Sequence, residues 1–311
     1  MNKQGTVLCI VGPTASGKTA LSVEVAERCR GEIVSADAVS VYRGLDIGSA
    51  KPTTEERRGI QHHLIDCVEI TDSTFSVSVF RTLARTAIDE ILSKDKLPIV
   101  VGGSGLYSDA IFSDMGFSAP SDSDIRAQLE SDYDRDKNAV FERLSVSDPA
   151  TAARLHPNDK KRIVRALEVM QICGRPFSEL NRDFESAQEN DGTYRTVKIG
   201  LTLPRETLYA RIDARVDQMM RQGLEAEAFA LFDKGLTPDK YTAMHSIGYT
   251  QLYEFYCGRC SEEEAVHAIK IATRHFAKRQ LTWFKRDTKT VWLDITKLDR
   301  EQIIDRITEL L

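Results

Sequence analysis

No stretch of the chain stays apolar for the ~18 to 20 residues that a membrane-crossing helix requires, which removes the reading as a helical membrane protein. The opening residues, MNKQGTVLCIVG, run straight into a strand pattern and offer neither an apolar leader core nor a cleavage site. Cytosol is the expected compartment. An excess of positive charge is also missing: 42 Lys and Arg stand against 47 Asp and Glu, a formal net charge of −5. That balance argues against indiscriminate binding of polyanions by global charge, and leaves a local basic surface open. A disulfide framework is not indicated either, because the 6 cysteines lack an exporting leader and read as free thiols. Cys257 and Cys260 form a C-x-x-C pair, but only His267 stands near as a further ligand. Two unrelated thiols at a helix–helix turn is the expectation. His62 and His63 likewise have no partners at metal-ligand spacing and read as structural.

What the chain does have is alternation. TVLCIV (6–11), EIVSAD (32–37) and LPIVVGGSGLY (97–107) are short apolar or β-branched runs. Helical patterns follow them, in KTALSVEVAERC and in 75–96, where Ser73 or Thr74 is the expected cap. Strands that alternate with helices predict a parallel sheet covered on both faces, with ligands at the carboxyl ends of the strands. Between 114 and 193 the texture changes to polar turns and helical segments with no strand signal. Strand patterns return at 196–203 and 290–295, with helices over 205–234, 247–257 and 262–286. The expected fold is α/β: a P-loop NTPase-like parallel sheet with flanking helices and an inserted all-helical subdomain. The core comprises 1–113 and 194–311, and the insertion 114–193.

The first strand runs into GPTASGKT, the pattern G-x-x-x-x-G-K-[ST] set between a strand and an amphipathic helix. The expected anion cradle consists of Gly12, Thr14, Ala15, Ser16, Gly17, Lys18 and Thr19. Backbone N–H groups, a helix N-terminus and a lysine supply positive charge, and the Thr19 hydroxyl is the expected Mg²⁺ ligand. The loop alone does not distinguish ATP from another diphosphate. A kinase or ATPase should also carry an apolar strand ending in Asp or Asp-Glu, and VVGGSGLY stands where that strand is due. The acidic residue at a strand end beside the loop is Asp37, which reads equally well as a turn cap.

These blocks accumulate in a fixed order: GPTASGKT, SADAVSVYRGLDIGSAKP (35–52), HHLIDCV (62–68), PIVVGGSGLY (98–107), LHPNDKKRIVRALEV (155–169), IGY (247–249) and TRHFAKRQLTWFKR (273–286). Together they resemble the bacterial tRNA dimethylallyltransferases, over essentially the whole chain. The resemblance implies that the loop holds the diphosphate of dimethylallyl diphosphate. It further implies transfer of the prenyl group to the exocyclic amine of the adenosine immediately 3′ of the anticodon, with release of diphosphate. By position, Asp37 corresponds to the family's general base, Arg215 to the arginine that reaches the diphosphate, and Ser104 to a hydroxyl, usually threonine, near the reacting centre. Arg211 lies one helical turn before Arg215.

The resemblance also implies an RNA-facing set. It comprises Ala38, Val39 and Ser40; Arg126; Lys161, Arg162 and Arg165; His245, Gly248 and Tyr249; and Arg274, Lys278 and Arg279. The partners expected are a tRNA anticodon stem-loop and dimethylallyl diphosphate, with no membrane and a monomeric chain. Where the family usually has serine after the aspartate and glutamine two positions later, this chain has Ala38 and Ser40. No zinc-finger extension of the eukaryotic kind is present, which suggests a bacterial source. Two alternatives remain beside this reading. One is an adenylate isopentenyltransferase acting on free nucleotides, which would not need the insertion or the basic C-terminal block. The other is a tRNA-binding paralogue without catalysis, to which the Ala38 and Ser40 departures point.

Overall fold

A computed structural model of the protein describes residues 5–113, 122–180 and 192–311. The chain divides into two compact units: Met1–Phe112 with Gly192–Leu311, and Ser113–Asp191. The sequence boundary at 114 and the polar stretch 186–191 lie outside the described residues.

The first unit is built on six strands: β1 (Thr6–Val11), β2 (Gly31–Ser35), β3 (His62–His63), β4 (Leu97–Gly102), β5 (Arg195–Thr202) and β6 (Val291–Asp294). They pair in the order β3-β2-β4-β1-β5-β6, every ladder parallel. Leu8 faces Ile99 across one ladder of β1, and Ile10 faces Ile199 across the other. Alternation along the strands divides the core in two. Val7, Cys9 and Val11 point into one apolar layer; Leu8 and Ile10 point into the other. Being buried on both faces is why β1 reads as an unbroken apolar run rather than an alternating one.

Helix α1 (Lys18–Cys29) and the terminal helix α14 (Arg300–Leu310) cover the layer containing Leu8. The opposite layer is covered by α3 (Val77–Ser93), α4 (Gly105–Phe112), α10 (Arg205–Arg221), α11 (Leu224–Asp233), α12 (Tyr249–Tyr256) and α13 (Glu262–Phe284). A short α2 (Thr54–Arg57) starts on a reciprocal cap between Thr53 and Glu56. The chain leaving β1 therefore turns to one face through α1, while the chain leaving adjacent β4 turns to the other through α4. The carboxyl ends of these two strands form a switch point, the place where open parallel sheets bind ligands.

The cap of α3 differs from the sequence expectation. Ser76, not Ser73 or Thr74, holds extended backbone before the helix and accepts from the Val79 N–H at 3.4 Å. Thr74 is engaged instead by Asp72, through both its N–H and its hydroxyl. Within the helical stretch expected over 205–234, Gly223 at φ 98° separates α10 from α11, capping α11 in a left-handed conformation that favours glycine.

The second unit is all helical: α5 (Ser123–Arg135), α6 (Lys137–Ser147), α7 (Pro149–Ala152), α8 (Lys160–Cys173) and α9 (Phe177–Leu180). Asp122, Asp136 and Asp148 cap three of these helices by accepting from first-turn N–H groups. Leu129, Leu144, Ile163 and Leu167 form its core. No helix among the described residues is long and apolar enough to cross a membrane.

Candidate active site at the β1–β4 switch point

Between β1 and α1 the chain folds around a concavity. Gly12 adopts φ 148° and lies so close to β5 that a Cβ there would sit 2.9 Å from the Leu201 carbonyl oxygen. Gly17, at φ 81°, caps α1 with no side chain of its own, leaving first-turn N–H groups pointing outward. Lys18 folds back and donates to the Pro13 carbonyl oxygen at 2.7 Å. Desolvation, reinforced by nearby Arg215 and opposed by Asp37, pulls the lysine down to about 7. Arg215, on α10, donates to the Thr14 hydroxyl at 3.4 Å. Desolvation holds it below its usual range too, although Asp37 and Glu56 counteract this. Two desolvated cations beside a helix N-terminus favour an anion.

The Ser16 hydroxyl supports the same conclusion, being buried inside the loop with no hydrogen-bond partner. Thr19 is exposed at the first turn of α1. Among the described residues no cluster of three or more His, Cys, Asp or Glu is arranged to hold a metal. A site of this kind fits Mg²⁺, which usually takes one or two protein oxygens and completes its shell with substrate phosphates and water. Thr19 would be the protein ligand.

Asp37 follows β2 by two residues and turns the chain, its Oδ1 accepting from the Val39 N–H at 2.8 Å and the Ser40 N–H at 3.1 Å. Both sequence readings of Asp37 thus meet in one side chain: it caps a turn and it faces the site. It lines a cavity of about 360 Å³ with Thr14, Ala38, Val39, Ser104, Arg215, His245, Gly248 and Arg279. Val216, Met219, Leu224, Ile269 and Phe276 give that cavity an apolar side. A smaller space of about 120 Å³ joins Asp37 to Lys18, Thr19 and Arg215. A wider basin of about 880 Å³ opens on the outer side of the loop, between Ala15–Ala20 and residues 46–58. The arrangement presents an anion cradle and a carboxylate on two sides of a partly apolar space.

Other residues expected at an RNA surface are placed differently. Tyr249 is fully buried and donates to Glu227 at 2.6 Å, so it supports the site from beneath. Gly248 is also buried, at the start of the same helix. Ser40 is 5% exposed and shares a hydrogen bond with Ser35 at 3.0 Å, which commits its hydroxyl to the core. In the helical unit, Arg126 and Arg165 both bind Glu168, whose side chain is fully buried. Desolvation alone would raise Glu168, but Arg165, the Asp122 N–H and Arg126 together hold its carboxyl below the usual range. Arg274 makes a two-pronged ion pair with Asp213 of α10 and lies over the Tyr209 ring. Lys161 and Arg162 are exposed on α8. Lys278 and Arg279 are exposed on α13 and line a groove of about 510 Å³ with His275, Trp283 and Arg286.

Two residues that sequence reasoning missed hold the site together. Glu227 of α11 accepts from the N–H groups of Asp46, Ile47 and Gly48, at 3.1, 2.8 and 3.1 Å, and fixes the segment that rims the basin. Gln280 of α13 is hydrogen bonded to both glycine turns. No local pattern announces either residue, because the backbone groups that they hold are 177 or more positions away in the chain.

The comparisons with known proteins agree with this geometry. The family described as IPP transferase matches residues 40–287. The tRNA dimethylallyltransferase of Pelotomaculum thermopropionicum is 42% identical over 308 residues, spanning 98% of this chain and 96% of the relative. A solved full-length tRNA isopentenylpyrophosphate transferase from Bacillus halodurans superposes with a TM-score of 0.72 at 40% identity, covering 99% of this chain and 95% of its own. A eukaryotic dimethylallyltransferase, solved acting on tRNA, gives a TM-score of 0.81 at 27% identity, over 97% of this chain and 77% of its own. The phosphate loop, the carboxylate across from it and these likenesses along nearly the full length converge on one conclusion: the chain belongs to the IPP transferase family, the tRNA dimethylallyltransferases.

Proposed function

We propose that the protein transfers the dimethylallyl group of dimethylallyl diphosphate to the exocyclic amine of the adenosine 3′-adjacent to the anticodon in tRNA, releasing diphosphate. The observation that carries this reading is that Asp37 shares one small space with Lys18 and Arg215 and, with Arg215, also lines the partly apolar cavity beside it. The loop N–H groups, Lys18 and Arg215 would hold the diphosphate, leaving the prenyl chain to lie along the Met219–Phe276 side. The adenine amine is a weak nucleophile, because its lone pair is delocalised into the ring. As its nitrogen bonds to C1 of the prenyl group, Asp37 takes the amine proton, and the C1–O bond breaks with its electron pair going to the diphosphate oxygen. Lys18 and Arg215 offset the charge that grows on that oxygen. Bound Mg²⁺, held through Thr19 and the phosphates, would supply further charge compensation there. Ser104 faces the same cavity and offers a hydroxyl to the reacting adenosine.

A base can react here only after leaving its stack, which costs least in unpaired loop RNA. Arg279 and His245 at the cavity mouth, with Lys278 nearby, are the proposed phosphate contacts; Lys161 and Arg162 are candidates from the helical unit. The tRNA pool places the activity in the cytoplasm. The test is transfer of label from radiolabelled dimethylallyl diphosphate, with Mg²⁺, to an unmodified anticodon stem-loop or to AMP. Label on the RNA alone is the predicted outcome. Label on AMP would move the chain to the free-nucleotide reaction, and RNA binding without label would favour the non-catalytic reading.

A further inference from the structure

The β1–β4 switch point is bridged by one side chain that is not part of the phosphate loop and that borders the small space shared by Lys18, Asp37 and Arg215. Gln280, 5% exposed on the inner face of α13, accepts from the Thr14 N–H through Oε1 at 2.8 Å. Its Nε2 donates to the Gly103 carbonyl oxygen, also at 2.8 Å. The amide can be oriented only one way, because a backbone N–H only donates and a carbonyl only accepts. Gly103 is shaped to receive it: a Cβ there would sit 2.2 Å from Nε2. One helical turn on, Trp283 packs where a Cβ on Gly105 would be, 2.1 Å from its ring, and its indole N–H donates to Asp109 at 2.7 Å. Residues 103 and 105 flank Ser104, so α13 grips the turn on both sides of that hydroxyl.

We propose that Gln280 is a positioning residue of the transfer reaction: by spanning Thr14 and Gly103 it sets the separation between the diphosphate cradle and the Ser104–Asp37 side of the cavity. The β1–β4 ladder ends at Val11 and Gly102, and the two Gln280 hydrogen bonds carry that connection past the strand ends to the loop and the turn. Thr14 carries the Arg215 contact on its hydroxyl while its N–H is committed to Gln280. A shift of the loop relative to the turn would therefore displace the leaving group from the attacking nitrogen. Misplacement of about 1 Å lowers transfer rates roughly 10²-fold without requiring weaker binding.

The proposal rests on the transferase reading, and its test separates the two. The experiment compares wild type with Gln280→Met and Gln280→Glu, measuring single-turnover transfer to stem-loop RNA, affinity for each substrate, Tm, and hydrogen exchange at the Thr14 amide. For Gln280→Met, Thr14 exchange should quicken and the single-turnover rate fall roughly 10²-fold, with both affinities kept within about threefold. In Gln280→Glu the carboxylate repels the Gly103 carbonyl, but its protonated form can donate as the amide does. With burial raising the new carboxyl, activity relative to wild type should therefore recover as pH is lowered from about 8 to about 6 while the folded fraction stays constant, a combination that a purely structural role would not produce. Thr14 exchange unchanged in an active protein, or a rate loss that tracks lost affinity and Tm, would overturn the positioning role alone. Wild type without transfer would overturn the transferase reading, and the positioning role with it.

Discussion

Lys18 is the residue whose chemistry most directly ties the loop to its ligand. Its ammonium is pulled down to about 7 by desolvation and Arg215, so near neutral pH only part of the free protein carries that charge. A diphosphate beside it favours the protonated form, so binding takes up a proton wherever the free lysine is neutral. Affinity for inorganic diphosphate, corrected for the ligand's own protonation, should fall as pH rises through about 7. Titration calorimetry in two buffers of different ionisation enthalpy reads that proton uptake, and its absence above pH 7 would remove Lys18 from the cradle. Lys18 was legible from sequence because the motif that places it is local. Arg215 was legible only through resemblance, since a helical arginine 201 positions from the Thr14 it contacts has no local signature.

At the scale of elements, strands buried on both faces were the readable part. β1 and β4 are apolar runs because parallel strands covered by helices have no wet face, whereas β2 carries only Ile33 and Val34 between polar residues. β3 has 2 residues, His62 and His63, too few for any periodicity to register. The capping box of α2 and the break at Gly223 are real local signals, but each depends on a conformation that competing turns share. Burial was the harder quantity. Arg126 and Arg165 look like a basic face, yet both are spent on a buried carboxylate.

That assignment predicts stability effects in place of RNA effects. Arg126→Ala should cost about 1–2 kcal/mol in denaturant unfolding, the arginine being partly exposed and Arg165 remaining. The salt dependence of RNA binding should stay unchanged. Removing exposed Lys161 or Lys278 should leave stability alone and reduce the log–log salt slope by roughly one if the residue meets a phosphate. The Glu168 carboxyl is held below its ordinary value of 4.5, so its contribution to stability is present above that pH and lost as pH falls through the folded value. Thermal melts between about pH 5 and pH 3 should show a decline that Glu168→Gln flattens. Equal slopes in both proteins would mean that the carboxyl is not held as described.

Across the whole molecule, the site is assembled from segments that the chain order keeps far apart. The phosphate loop comes from the start of the chain, Asp37 from β2, Ser104 from the turn after β4, Arg215 from α10 and Arg279 from α13. A parallel sheet makes this assembly possible, because every strand delivers its carboxyl end to the same edge. The motifs announced which segments carry chemistry. The clamps that hold those segments in place, Glu227 on the basin rim and Gln280 between the glycine turns, became visible only in three dimensions.

In the proposed reaction one carboxylate, Asp37, stands beside one anion cradle and takes the proton of the amine. Asp37→Asn tests it with least disturbance, because an amide oxygen can still accept from the Val39 and Ser40 N–H groups and keep the turn. The decisive measurement is the single-turnover rate of prenyl transfer to an anticodon stem-loop, taken beside the affinity for diphosphate. The expected result is a loss of about 10²–10⁴-fold in rate, with diphosphate affinity and fold preserved. A variant that transfers at the wild-type rate would contradict it and leave Asp37 as the cap of a turn.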